Sequence, residues 1–151
     1  MSRIKLGFGI LILLAACTGQ GGGGQSEGGQ KVKLEQYLVE GQQLYLQYCS
    51  ACHQREGQGL AQLYPPLSNA DYLDDNVEGV VCIVKNGLQG PIVVNGVEYN
   101  QAMPANPTLT PLEIAEIVTY VYNSWGREHG LVPVTEVEKI LKTCNALGIE
   151  P

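Results

Sequence analysis

Two thiols and one imidazole lie within the five-residue segment CSACH. They belong to Cys49, Cys52 and His53, in a chain that contains 5 Cys and 2 His in all. In a helix, side chains three and four residues apart lie on the same face. The segment therefore presents three groups that can bond a metal or a reactive cofactor from one side.

Three kinds of chemistry use such a cluster. A structural zinc site needs four ligands, usually as two pairs, and the sequence has no second C-x-x-C and no H-x-x-x-H. A thioredoxin-like redox site requires a strand and a βαβ context, which the Tyr- and Leu-rich helix before Cys49 does not provide. The order C-x-x-C-H is typical of covalent haem attachment. We therefore predict one haem c, with Cys49 and Cys52 bonded to its vinyl groups and His53 as an axial iron ligand.

Met103 is the candidate for the second axial position of the iron. It is the one methionine that remains if Met1 is removed with a signal peptide. Met103 lies in the segment YNQAMPAN, where Pro104 prevents a helix from continuing. The alternatives are a Met103 that only fills a gap in the core, or ligation by His129, which lies in the segment GREHG beyond a predicted helix.

A mainly α-helical domain is predicted around these residues. Apolar residues recur at helical spacing from Leu34 to His53, which puts both thiols on the apolar stripe of the first helix. Further elements follow from capping and turn signals: a helix over 76–86, a hairpin at Asn95-Gly96, a helix from a capping box at Thr110 and Glu113 to Gly126, and a last helix from Thr135.

The first 32 residues are predicted to lie outside this domain. Arg3 and Lys5 precede an apolar run over 6–16, which is too short to span a bilayer and is typical of a signal peptide over 1–16. The run ends in LAAC, where Cys17 resembles the lipidated cysteine of bacterial lipoproteins; an ordinary cleaved signal peptide is the alternative. The Gly-rich remainder of 17–32 is predicted to be a flexible tether. The domain is thus expected on the periplasmic side of a bacterial envelope, anchored to a membrane through Cys17.

The chain is acidic, with 9 Lys and Arg against 15 Asp and Glu and a formal net charge of −6. This charge argues against partners that are nucleic acids or anionic lipid surfaces. It favours a protein partner with a basic docking surface, although the same charge also serves ordinary solubility.

Residues 33–127 resemble a class I c-type cytochrome. The matching features are a first helix with a glycine and an aromatic residue four apart, the CSACH segment, a PPL segment, a YNQAMP segment and a last helix that ends in aromatic residues: Gly41, Tyr45, 49–53, 65–67, 99–104, Tyr122 and Trp125. The resemblance implies an all-α fold, to which this chain adds a short β-hairpin insertion within 87–99 and an extra C-terminal helix within 128–151.

The resemblance also implies several contacts. The helix that contains Gly41 should cross the helix that starts at Thr110, with Gly41 against an aromatic side chain. The carbonyl of Pro65 should accept a hydrogen bond from Nδ1 of His53, which fixes the tautomer of the ligand, and Leu67 should pack on the haem edge.

Two cysteines remain after haem attachment and lipidation, Cys82 and Cys144. The valines of the helix over 76–86 share a face that excludes Cys82, whereas Cys144 lies on the apolar face of the added helix. We predict that the extension docks on the outside of this short helix and is joined to it by a Cys82–Cys144 disulfide, which suits an oxidising compartment. Two free buried thiols are the alternative.

The resemblance implies a protein that transfers single electrons and is not itself an enzyme. His and Met fill both axial positions, and the neutral thioether raises the reduction potential. We expect a membrane-tethered respiratory carrier that takes electrons from a quinol-oxidising complex towards a terminal oxidase. The alternatives are a relay or assembly subunit of a larger respiratory complex, such as an alternative complex III, and a haem-based ligand sensor in which Met103 dissociates.

Overall fold

A computed structural model describes residues 27–144 of the protein. This part of the chain forms helices and one antiparallel hairpin, in the order α1 Glu27–Tyr48, α2 Ser50–His53, a 3-10 turn Asp71–Leu73, α3 Val77–Asn86, β1 Ile92–Val94, β2 Val97–Tyr99, α4 Pro111–Tyr122 and α5 Val134–Leu141. The mainly α-helical fold, the hairpin and the added last helix are thereby confirmed. The predicted signal peptide, Cys17, residues 18–26 of the tether and residues 145–151 lie outside the described residues.

Helix α1 begins at Glu27, so residues 27–32 of the predicted tether are helical. Gln30, Lys31 and Lys33 have high helix propensity. Extending an existing helix requires much less free energy than nucleating one, and the turns from Tyr37 onwards are fixed by packing, since Tyr37 is 5% exposed. The sequence interpretation was wrong here because the glycines nearby dominated the composition.

Helices α1 and α4 cross at Gly41, as the resemblance implied. A Cβ atom at this position would overlap the carbonyl oxygen of Glu116 and would lie 2.8 Å from Cβ of Tyr120. The aromatic residue at the crossing is therefore Tyr120, whereas the sequence pattern had drawn attention to Tyr122 and Trp125. Tyr120 lies 5.4 Å, centroid to centroid, from the ring of Tyr45 in α1.

Helix α4 starts as predicted and ends four residues early. The capping box of Thr110 and Glu113 is formed. The helix ends at Tyr122 and not at Gly126, because the side-chain amide of Asn123 donates to the carbonyls of Thr119 at 2.7 Å and of Gly130 at 2.8 Å. These bonds satisfy a terminal helix carbonyl and turn the chain towards α5.

Helix α5 starts at Val134, one residue before the predicted Thr135. Its buried residues Val137 and Ile140 pack into the core cluster formed mainly by α3 and α4. A disulfide joins Cys82 of α3 to Cys144 just beyond α5, across a sequence separation of 62. Because Cys82 and three valines of α3, Val80, Val81 and Val84, are all buried, α3 lies between the core and the extension.

The hairpin turns at Asn95-Gly96, where both residues have positive φ, 51° and 77°. This is the geometry of the type I′ turn that the dipeptide favours. Strand residues Val94 and Tyr99 are buried, so one face of the hairpin covers part of the cleft described next.

Candidate haem-binding site

A deep cleft lies between α2, α3, α4 and the hairpin and encloses about 1000 Å³, including the space at its mouth. Its wall contains every residue proposed from the sequence as a haem contact: Cys49, Cys52, His53, Pro65, Leu67 and Met103. Among the described residues that line it, none is Asp, Glu, Lys or Arg. The cleft therefore suits a large, mainly apolar ligand.

Helix α2 and the residue before it, which follow directly on α1, present the two thiols and the imidazole. The N–H of His53 donates to the carbonyl of Cys49 at 3.0 Å, so the helical path continues through the cluster. The Tyr45 hydroxyl donates to the carbonyl of Gln54 at 2.6 Å and holds the chain where it leaves the helix. Burial, followed by the neighbouring Cys52, raises the pKa of the Cys49 thiol to about 12. Cys49 is thus a neutral thiol near pH 7 in the polypeptide alone.

The His53 ring is held in one orientation. Its Nδ1 lies 2.9 Å from the carbonyl oxygen of Pro65, and the side chain is 9% exposed. Because a carbonyl only accepts, Nδ1 carries the proton and Nε2 keeps its lone pair for a metal. Burial lowers the pKa of His53, and the bond to Pro65 opposes this effect. A neutral imidazole is the form that binds iron.

Two glycines that sequence reasoning missed place Pro65 beside His53. The N–H of Gly59 donates to the His53 carbonyl at 3.0 Å, and the Gly57 carbonyl accepts from the N–H of Leu67 at 2.7 Å. Gly57 and Gly59 have positive φ angles, 64° and 69° respectively, and this conformation favours glycine. A Cβ on Gly57 would lie 2.7 Å from the Trp125 ring. The sequence GQG, shortly after the cysteines, was the signal from which these turns could have been predicted.

Met103 lies on an irregular segment that pairs with the chain after α3. Leu88 and Met103 exchange two backbone hydrogen bonds, of 3.0 and 2.9 Å, in an isolated antiparallel bridge. Gly87 permits this approach, because a Cβ there would lie 2.5 Å from the Met103 carbonyl oxygen. Two further residues that the sequence did not indicate, Lys85 and Asn106, tie the same segment to α3 through hydrogen bonds.

The other sequence candidates lie away from the cleft. His129 is exposed, and its ring is 5.3 Å from that of Tyr122, and it does not line the cleft. The Cys82–Cys144 disulfide lies on the far side of α3. Within residues 27–144, no group of three or more His, Cys, Asp and Glu side chains is arranged to hold a metal ion. In the same range, no helix has the length and hydropathy needed to cross a bilayer.

The residues present fit a covalently attached haem. Two thiols stand at the wall of an apolar cleft, a neighbouring imidazole has a free Nε2, and a thioether lies in the same lining. This donor set, one nitrogen and one sulfur, is that of the His/Met-ligated cytochromes c.

Comparison with known proteins agrees with this geometry. The Cytochrome c family profile matches residues 38–125. Cytochrome c-552 of Thermus thermophilus is 34% identical over 111 residues, covering 68% of this chain and 84% of that protein. The cytochrome c subunit of the quinone alcohol dehydrogenase of Gluconacetobacter polyoxogenes is 31% identical over 108 residues, which cover 70% of this chain and 23% of that subunit. The protein therefore belongs to the cytochrome c family, whose members carry covalently bound haem c and transfer electrons.

Proposed function

We propose that this protein is a membrane-tethered monohaem cytochrome that carries single electrons from a quinol-oxidising complex towards a terminal oxidase on the periplasmic side of a bacterial envelope. The observation that carries the proposal is the convergence of Cys49, Cys52, His53 and Met103 on one apolar cleft. The chain contains one C-x-x-C-H segment, which supports a single haem.

Each of these residues has a defined task. Cys49 and Cys52 would hold the cofactor by thioether bonds, and His53 would offer Nε2 to the iron while Pro65 fixes its tautomer through Nδ1. Met103 would offer its sulfur as the second ligand. The bound haem supplies the one-electron couple of its iron. Because the groups that would hold the iron come from a packed framework, a change in the charge of the iron should require little structural reorganisation.

The setting of the cleft favours a high reduction potential. A neutral thioether and an apolar, uncharged lining both disfavour the extra positive charge of the oxidised iron. A high potential suits a carrier that delivers electrons to an oxidase. Leu67, which lies in the lining, is proposed to pack on the haem edge.

The tether and the surface charge are proposed to bring the carrier to its partners. Lipidated Cys17 would confine the domain to a membrane surface, and the net charge of −6 favours redox partners with a basic docking surface. Such docking is weakened by salt.

The function is tested with membranes from a strain of the source organism that lacks this gene. Purified holoprotein should be reduced by these membranes with quinol and reoxidised by oxygen in a cyanide-sensitive reaction, and both rates should fall as ionic strength rises. A matched Cys17→Ala protein expressed in the same strain should keep its haem and move from the membrane to the soluble periplasmic fraction. Holoprotein that the membranes neither reduce nor oxidise would contradict the carrier role.

A fixed subunit of a larger complex is the second candidate. It is favoured by the relatives named as cytochrome c subunits of a quinone alcohol dehydrogenase. Mild detergent extraction of the native membrane followed by size separation distinguishes the two candidates. A carrier elutes as a small haem protein, whereas a subunit elutes with other chains and leaves them only under denaturing conditions.

A further inference from the structure

We propose that Lys85 and Asn106 form a lock that keeps the Met103 loop (residues 100–109) closed, and so control how often the Met103 sulfur leaves the iron. This inference rests on the proposed role of Met103 as an axial ligand. Neither residue lines the cleft. Both are therefore positioning residues that act through the backbone of the loop.

Lys85 reaches from the last turn of α3 across the end of the loop. Its ammonium group donates to the carbonyl of Pro107 at 2.9 Å and to that of Leu109 at 2.9 Å. Hydrogen bonds from a charged donor are stronger than neutral ones. The side chain is partly buried, and Leu109 is 2% exposed, so water competes poorly at this second carbonyl.

Asn106 makes the reverse connection, from the loop to the helix. Its backbone N–H donates to the carbonyl of Lys85 at 3.1 Å, and its side-chain amide donates to the carbonyl of Val84 at 3.1 Å. Carbonyls in the last turn of a helix have no donor within the helix. Asn106 therefore caps α3 and fixes the loop with the same two bonds.

These contacts bear directly on Met103 because they bracket it. The bridge to Leu88 holds the Met103 backbone on one side, and Asn106 holds the chain three residues further on. Pro104 and Pro107 have no N–H to offer to alternative backbone bonds. The last turn of α3 therefore sets where the sulfur lies, and α3 itself lines the cleft through Val80, Ile83 and Val84.

The lock is tested by the rate at which imidazole binds to the ferric holoprotein, since imidazole can bind the iron only after Met103 leaves. Lys85→Met should raise the association rate about tenfold, because two charge-assisted bonds are lost. Asn106→Ala should raise it about fivefold. Lys85→Arg, which keeps a cationic donor, should stay much closer to the wild-type rate than Lys85→Met.

Matched controls separate the lock from charge and from general loop damage. Lys142→Met removes one exposed positive charge from the end of α5, and Asn100→Ala truncates an exposed residue of the same loop outside the cleft lining. Both should bind imidazole within about twofold of the wild-type rate. The free energy of unfolding is measured in parallel, and a lock predicts that the imidazole rates change even at temperatures where every variant is folded.

Two different failures can be told apart. If Met103→Ala binds imidazole quickly, and Lys85→Met and Asn106→Ala both bind it at the wild-type rate, Met103 is a ligand but the lock does not exist. If the wild-type protein already binds imidazole as fast as Met103→Ala, Met103 is not a ligand and the proposed function fails together with the lock.

Discussion

The two walls of the cleft are built in different ways. The His53 wall comes from a nearly continuous piece of chain, in which the glycine turn after His53 returns Pro65 to the ring within 12 residues. The Met103 wall is assembled from parts that are far apart in sequence, since Lys85 reaches Leu109 across 24 residues. One proposed ligand is held by residues near it in sequence, and the other is held by a helix from another part of the fold.

This difference suggests a division of labour. Under the proposed ligation, the wall made of local contacts, next to the two thioether bonds, would hold the cofactor permanently. The wall made of a loop bound to α3 would adjust the second proposed ligand, because its stability depends on hydrogen bonds that can open locally while the rest stays folded.

The largest expected effect separates the two walls by haem content. The double variant Cys49→Ala, Cys52→Ala should lose essentially all covalently bound haem, because both thioether bonds are gone. Met103→Ala should keep it, since attachment does not use this side chain. Haem staining of denaturing gels measures both. Equal loss of bound haem in the two proteins would show that the walls do not differ in this way.

Removal of the disulfide should loosen the Met103 wall through α3. Closing a loop of 62 residues stabilises a fold by about 4 kcal/mol in the chain-entropy model. We expect Cys82→Ala, Cys144→Ala to lose about this free energy of unfolding in denaturant titrations, with haem content unchanged. On heating, the weak long-wavelength band that ferric haem owes to thioether ligation should disappear at a lower temperature than in the wild-type protein. An unchanged band would mean that α3 is held without the bridge.

A pair of glycine substitutions tests the walls one at a time. Gly57→Ala places a methyl group 2.7 Å from the Trp125 ring on the His53 side, and Gly87→Ala places one 2.5 Å from the Met103 carbonyl oxygen. Each should cost about 3 kcal/mol, from positive φ and from the clash together. Of the two substitutions, only Gly87→Ala should also weaken the long-wavelength band that depends on the Met103 thioether.

Gly126→Ala is the control for this pair, because Gly126 has positive φ and open space where a Cβ would stand. It should cost only about 1 kcal/mol, the contribution of backbone strain. The assignment of separate walls would be wrong if Gly57→Ala weakened the thioether band as much as Gly87→Ala.

The smallest expected effect concerns the capping box that follows the Met103 loop. Hydrogen bonds from the backbone and hydroxyl of Thr110 lower the pKa of Glu113 below its ordinary value of 4.5. A lowered pKa in the folded state means that the carboxylate stabilises the fold above the unfolded pKa and loses this effect as the pH falls through the folded pKa. Since Glu113 is only partly buried and its charge is screened by water, Glu113→Gln should reduce the free energy of unfolding by less than about 0.5 kcal/mol at pH 7.

That difference should vanish in acid, where the wild-type carboxyl is protonated as well. Denaturant unfolding of both proteins at neutral and acidic pH measures it. A difference that persists unchanged in acid would show that the side-chain charge is not its source.

The sequence predicted best what depends on neighbouring residues. The Asn95-Gly96 turn and the Thr110–Glu113 capping box involve only residues within a few positions of each other, so a short stretch of sequence is enough to predict them. The CSACH cluster is readable for the same reason. Met103 could be proposed as a ligand by elimination, because the chain contains 2 Met in all and Met1 belongs to the predicted signal peptide.

What the sequence did not predict depends on distant partners. The early end of α4 comes in part from a bond between Asn123 and Gly130, in the segment that leads to α5. Nothing in the sequence near Lys85 indicates its role, because its hydrogen-bond partners lie 22 and 24 residues away. The residue pattern within one helix does not show which loop, distant in sequence, packs against that helix.

The central claim is that the sulfur of Met103 binds the iron opposite His53, and proton NMR of protein labelled with ¹³C in its methionine methyl groups tests it most directly. A methyl group directly above a porphyrin lies in its ring current. In the reduced holoprotein, the account predicts a Met103 methyl signal shifted far upfield, which is lost in Met103→Ala. A Met103 methyl signal at the ordinary position of a solvated or core methionine would contradict the account.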